Sequence, residues 1–417
     1  MSTSSAGTPK RYQPWVALQH RDFRFLMAGA VAFSFGENGL MVANAYQAYA
    51  LTGSTVQLGF TGLFQAVPLV VFGFIGGSMA DSVERKKLII VAQLLRLVTV
   101  LTLAVLTQTH LVEIWHIYAT LFFNTAFSIV DRPARTSMTS GLVPREHLLN
   151  ALGMQSLVNQ SLRLVVPTLV GLCVMFVGIA VTYYVTAFTI LLIILAMLPI
   201  RVPAQQQRAT GNAFSAEMLL GGLRYLVSKK SLLGLYLLDI GVGAFGAYRT
   251  MLPVFAEKVG GGPLGYSLLV TGPAIGSMLG SSFVMMLGET NKKAHVVLVS
   301  SFIFGLLIFP FAFSEWLLVS FVMTILLGCF DTVGSTSRST TIQLTTPDHL
   351  RGRMASLNNI SSRGLSSVGG IELGIVAAIV GPSWSLAIGG VICIFATVAV
   401  GLWWQKTNAL AEVDAEP

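Results

Sequence analysis

The sequence predicts an all-α membrane protein: twelve transmembrane helices in two pseudo-symmetric six-helix bundles. Composition comes first. Apolar residues make up 54% of the chain and charged residues only 11%, whereas a soluble domain carries about a quarter charged residues. Second, the 417 residues divide into twelve apolar runs of roughly 20 residues, each long enough to cross a hydrocarbon core of ~30 Å. Third, landmarks of the first half recur in the second. Phe127, Arg135 and Pro144 compare with Phe330, Arg338 and Pro347, all at one offset of 203 positions, the pattern of a membrane bundle built from parallel repeats.

The elements follow in order. Residues 1–24 form a polar tail without the apolar region of a cleaved signal peptide. The first bundle, 25–200, holds spans at 25–49, 58–80, 88–106, 114–130, 149–176 and 179–199. Pro68 and the glycines of the second span permit kinking and close packing. Asp131-Arg132-Pro133-Ala134-Arg135 and Val143-Pro144-Arg145-Glu146 read as the connection after the fourth span. A linker at 201–230 follows, in which Phe214, Met218, Leu219, Leu223 and Leu226 share one helical face beside Arg224, Lys229 and Lys230. That is the pattern of an interfacial amphipathic helix. The second bundle, 231–404, holds spans at 232–255, 265–287, 294–313, 316–334, 354–380 and 384–404, before a tail at 405–417.

The net charge of +8 is not a nucleic-acid signal. Every even-numbered connection from span 2 to span 10 carries two or more cations, and the opposite connections contain only Lys258. Cationic loops stay on the cytoplasmic side, so both termini are expected in the cytoplasm and the lipid bilayer of the cell's inner membrane is the expected setting. Cys173, Cys329 and Cys393 are scattered singly through apolar runs, which predicts buried thiols and neither disulfides nor metal ligands. No cofactor is expected. No Gly-x-x-x-x-Gly-Lys-Ser/Thr pattern occurs, so energy from ATP is not expected.

The stretch Gly76-Gly77-Ser78-Met79-Ala80-Asp81-Ser82-Val83-Glu84-Arg85-Lys86-Lys87 forms a charged hairpin between spans 2 and 3. It resembles the loop signature of the major facilitator superfamily, with Gly77, Asp81 and Arg85 on its key positions; Ser82 and Glu84 depart from the usual Arg and Gly. Val83-Glu84-Arg85-Lys86-Lys87, Pro133-Ala134-Arg135 and Thr346-Pro347-Asp348-His349-Leu350-Arg351-Gly352-Arg353 are similar to the branch of bacterial drug and siderophore exporters, of the enterobactin-exporter and macrolide-efflux type. The resemblance covers essentially the whole chain. It implies two bundles that alternate access to a central site, with Asp81 and Arg85 clamping the cytoplasmic side against the start of span 11. Gly76 and Gly77 would let the helices approach, and Lys86 completes the signature.

Ionisable side chains at membrane depth are costly and face a polar cavity or a partner. Glu37, about 12 residues or roughly 18 Å of helix from the start of the first span, is the leading candidate for binding a proton or a substrate cation, because desolvation opposes its charging. Asp239, in the corresponding helix of the other half, and Glu372, near the middle of span 11, are the others. Arg96, Arg163 and Arg363 cannot carry protons; they are candidates to pair with these carboxyls or to hold an anionic substrate between the halves. Arg249 is expected near the external end, where it can snorkel. Phe33, Phe35, Tyr46, Phe64, Tyr236, Phe245 and Tyr248 are candidate cavity aromatics, and Gln65, Asn124, Asn159, Gln160, Asn358 and Asn359 candidate polar lining.

These readings favour a monomeric secondary transporter that exports a small organic molecule in exchange for protons, and not an enzyme. Gly36-Glu37-Asn38 is also similar to the Gly-Asp-Asn of bacterial lysophospholipid transporters, which gives a second reading. A non-transporting receptor or an intramembrane enzyme is a third, although no Ser-His pair, HExxH or paired catalytic carboxylates occur at membrane depth.

Overall fold

The computed structural model describes residues 15–82, 84–201, 216–288 and 292–407, with the side chains of 70, 73–82, 130, 133, 216–220, 222, 348, 349, 352, 355, 356, 359, 360 and 363 outside the description. Six helices make the first half: α1 (Arg21–Thr52), α2 (Thr55–Ser82), α3 (Arg85–Gln108), α4 (Ile114–Leu142), α5 (Leu148–Phe176) and α6 (Ile179–Met197). α7 (Ala216–Ser228) precedes the second half, which comprises α8 (Lys230–Phe245), α9 (Leu252–Lys258), α10 (Gly262–Leu287), α11 (Lys293–Ala312), α12 (Leu317–Thr345), α13 (Asp348–Val380) and α14 (Pro382–Thr407). α8 and α9 together form the seventh span, so the twelve expected crossings are all present as helices.

Among the described residues, nine helical segments are long and apolar enough to cross a membrane on their own account. α2, α4 and α13, the remaining three, contain side chains outside the described residues, and in α13 the described stretch Gly364–Val380 is apolar; Asp131, Arg132 and Arg135 lie within α4, and Asn358, Ser361, Ser362 and Ser366 within α13. Asp131 and Arg135 are covered by neighbouring helices, and Arg132, Ser362 and Ser366 face the space between the halves and not lipid.

Several boundaries depart from the sequence reading. α1 starts at Arg21 and not after residue 24, and it ends where Gly53 turns left-handed (φ 58°) and donates its N–H to the Tyr49 carbonyl, a glycine helix stop. α4 continues to Leu142 and α12 to Thr345, so the Asp131–Arg135 stretch and Arg338 are helical and not parts of connections. The true stops are the Val143-Pro144 and Thr346-Pro347 dipeptides, since a residue before proline is pushed out of the helical region. The seventh span is broken: α8 ends at Phe245 and a 3₁₀ turn at Tyr248–Met251 leads into α9. α7 packs on the second half, with Leu226 buried, Leu223 exposed and the Tyr225 hydroxyl donating to the Thr345 carbonyl at 3.2 Å. Phe214 and the side chains of Met218 and Leu219 lie outside the described residues.

The apolar core is partitioned. At the end carrying Arg21 and Thr407, here the near end, each half has its own cluster: Phe23, Leu26, Ile89, Met138 and Met197 in the first, Leu232, Leu235, Val297 and Trp404 in the second. Toward the far end one cluster runs through both halves, from Leu40, Leu58, Val166 and Tyr183 to Phe255, Leu269, Phe311 and Leu373.

Candidate functional site

Between the halves lies a cavity of ≈ 720 Å³. α1, α2 and α4 contribute Glu37, Gln65, Thr125, Ser128 and Arg132; the second half contributes Asp239, Arg249, Asp331, Ser335, Arg338 and Ser362, among others. Its floor includes the break between α8 and α9, where Gly246 packs so tightly that an added Cβ would meet Phe304 Cε1 at 2.6 Å. Irregular backbone at membrane depth is tolerated where it lines a polar cavity.

Three carboxylate–guanidinium pairs organise the walls. Glu37 of α1 pairs with Arg132 of α4. Asp239 of α8 pairs with Arg338 of α12, and its other oxygen accepts from the Ser361 and Ser362 hydroxyls at 2.6 and 3.4 Å. Arg249 donates to Asp331 at 3.1 Å. Each pair joins the first and fourth spans of one half. Arg249 is therefore a cavity residue and does not snorkel at the external end, because the helix break turns it inward toward Asp331. Arg163 on α5 is exposed, has no partner among the described residues, and lies within electrostatic reach of Arg249, Arg132 and Glu37. The three pairs cancel, so among the described residues Arg163, which is not itself a lining residue, leaves a surplus of positive charge near the cavity, and that favours an anionic or acidic occupant.

A second polar group sits behind α4. Arg135 donates to Asp131 at 2.6 Å, both side chains being buried. Arg96 of α3 donates through Nε to Asn124 Oδ1 at 3.0 Å. Both guanidiniums lie over the Phe33 ring, at 5.0 Å for Arg96 and 4.7 Å for Arg135, a cation–π arrangement.

Of the candidates read from the sequence, Glu37 and Asp239 thus line the cavity, paired with cations. Arg96 is buried away from it. Glu372 on α13 is not among the lining residues, and its Oε2 is buried without a partner. The side chains of Arg363, Gly76, Gly77 and Asp81 lie outside the described residues. Arg85 donates to the Ser137 carbonyl at 3.4 Å, and Lys86 caps the end of α6 through the carbonyls of Leu198 (2.7 Å) and Ile200 (2.9 Å). Among the candidate aromatics only Tyr248 lines the cavity; Tyr46 stacks on Tyr266 and Phe64 on Tyr118 instead. Of the amide candidates whose side chains are described, only Gln65 is a lining residue. Sequence reading missed Arg132, Asp331 and Arg338 as cavity residues. Part of the signal was present: Arg338 repeats Arg135 at the offset of 203, well before Pro347, whereas Arg132 and Asp331 face Ser335 and Ser128 at that offset and Pro133 read as a stop within the first of these stretches.

The far side of the cavity is closed by close backbone approach. On α2, a Cβ at Gly59 would lie 2.6 Å from the Gly370 carbonyl and one at Gly62 2.8 Å from that of Ser367, both on α13. Thr55 donates to the Gly374 carbonyl at 2.9 Å, and Thr168 and Thr271 hydrogen-bond between α5 and α10 at 3.1 Å. Among the described residues no group of His, Cys, Asp and Glu can hold a metal ion.

The sequence model for the transmembrane secretion effectors, a family within the major facilitator superfamily, matches residues 12–416. The chain belongs to that family. Among similar proteins is the enterobactin exporter EntS of Salmonella typhi, 26% identical over 366 residues, covering 87% of this chain and 86% of the relative. EntS of Escherichia coli O1:K1 is 26% identical over 358 residues, 84% of each chain. The fold is similar to a solved nucleoside transporter, NupG, with a TM-score of 0.71 at 15% identity over 91% of this chain and 98% of that one. It is also similar to a bacterial homologue of the human lysosomal transporter Spinster, with a TM-score of 0.70 at 14% identity over 98% of each. The chain is thus a multi-pass membrane transporter with the twelve-helix major facilitator fold.

Proposed function

We propose that this transporter exports a small, acidic organic molecule of the siderophore or drug type across the inner membrane by alternating access, in exchange for protons. The observation that carries the reading is the polar central cavity, walled by three ion pairs, sealed at the far end and biased toward anions by Arg163. A catecholate or carboxylate would compete with Glu37, Asp239 or Asp331 for a guanidinium, so binding and proton uptake would act on the same groups. The positive connections set both termini in the cytoplasm; the separate near-end cores then describe a cavity entered from inside. Bundles 25–200 and 231–404 rock about it as one monomer, joined by 201–230, and Asp81 with Arg85 clamps the near end in the alternate state. The similarity to enterobactin exporters supports a catecholate as the first compound to try.

Everted vesicles loaded through an imposed proton gradient test this. Uptake of a labelled catecholate siderophore is expected, abolished by uncoupler and strongly reduced by Glu37→Gln. Uptake indifferent to uncoupler removes proton exchange; full proton-coupled uptake by Glu37→Gln removes Glu37 from the coupling.

A further inference from the structure

Among the described residues, the polar group behind α4 is short of one negative charge. The charged groups that act on Arg96 are Arg132 and Arg135 on one side and Glu37 and Asp131 on the other. With Arg96 itself that makes three cations against two carboxylates among the described residues. Glu37 is already held by Arg132 and one oxygen of Asp131 by Arg135, so the guanidinium left over is Arg96, which is 2% exposed. A buried charge without a counter-charge is strongly disfavoured.

The hydrogen-bond inventory agrees. Arg96 Nη1, both terminal nitrogens of Arg135 and both polar atoms of Gln93 are buried without a partner, as is Asp131 Oδ1. Gln93 is fully buried and precedes Arg96 by three residues on α3, so the two side chains are neighbours on one helix face. Arg135 reaches the same region from α4, since its guanidinium and that of Arg96 share the Phe33 ring. The vacant positions are mostly N–H donors. Buried polar groups are almost always satisfied, and donors in excess around a surplus positive charge call for an acceptor that is itself negative. Water would fill hydrogen bonds but leave the charge uncompensated.

We infer that the first half holds a small inorganic anion of halide size, bound by Arg96 and Gln93 with Arg135 beside them, separate from the transport cavity. Its wall is Phe33 and the inner face of α4, and Arg132 on the other side of α4 faces the cavity. The anion would hold α1, α3 and α4 together and screen Arg96 from the Glu37–Arg132 pair. This does not depend on which molecule is exported or on proton exchange.

The purified transporter crystallised with sodium bromide in place of chloride tests it directly. Anomalous density within hydrogen-bond distance of Arg96 Nη1 and Gln93 Nε2 is expected; its absence, or a site filled by water alone, overturns the assignment. A thermal-unfolding series provides the second readout. Chloride and bromide should raise the midpoint saturably relative to gluconate at equal ionic strength, Arg96→Gln should abolish the difference, and Arg163→Gln should keep it. Equal midpoints in chloride and gluconate for the native protein, or halide stabilisation that survives Arg96→Gln, would also overturn it. If Arg96→Gln does not fold, Gln93→Leu is expected to weaken the halide dependence at least tenfold in concentration, and the bromide map of the native protein stands as the deciding result.

Discussion

Replacing Asp239 by Asn keeps the shape of the side chain and removes its charge. The Arg338–Asp239 pair is nearly enclosed, with 8% and 6% of the two side chains exposed, so solvent screening offers little relief. The substitution strands a guanidinium whose Nε already lacks a partner, and weakens the acceptor for Ser361 and Ser362 on α13. Breaking a buried pair from one side costs about 3–5 kcal/mol, and at 1.4 kcal/mol per decade that is roughly two to three and a half decades in the folded-to-unfolded ratio. Replacing Arg338 by Met in the same chain removes the stranded charge, so the double variant should be more stable than Asp239→Asn alone, with a coupling of about 2 kcal/mol or more. Equilibrium unfolding in mixed micelles, run as a double-mutant cycle, measures it. Additive effects, with no rescue by the second substitution, would refute the view that this pair ties α8, α12 and α13 together.

Other outcomes follow from other parts of the structure. Gly59→Val or Gly374→Val should prevent α2 and α13 from meeting, since an added Cβ would lie 2.6 Å from the Gly370 carbonyl or 2.5 Å from that of Thr55, at about 1–3 kcal/mol for overpacking; a cysteine placed in the cavity should then become reactive toward impermeant reagents from the far side, and unchanged labelling would count against the seal. Arg163→Gln should weaken binding of an anionic ligand several-fold and leave a neutral analogue unaffected, as read by calorimetry on the purified protein. Lys86→Ala removes two hydrogen bonds at the end of α6, and should cost about 1–3 kcal/mol with faster hydrogen exchange confined to residues near Ile200.

The helix count, the duplication and the class of the chain were legible because lipid imposes a length and a polarity on every span. What composition could not supply was helix rotation and the depth of the polar residues. Asp131 and Arg338 looked like loop residues because charge normally marks the membrane surface; here neighbouring helices take the place of water around them. Glu37 and Asp239 were found for the opposite reason, each being a lone carboxylate in an otherwise apolar run. The break at Gly246 was hidden because no proline announces it; the crowding of Phe304 against it is a tertiary fact. Periodicity likewise did not reveal that Phe33 carries two guanidiniums instead of facing the cavity.

The shared far-end cluster has a mechanical corollary. Its two faces meet through hydrocarbon, with few directional bonds crossing, such as those of Thr55 and Thr168. Surfaces joined in that way can part without stranding many donors and acceptors, so the work of opening is mainly that of wetting a greasy seam. The pace of turnover should accordingly respond more to temperature and to the fluidity of the surrounding lipid than to ionic strength.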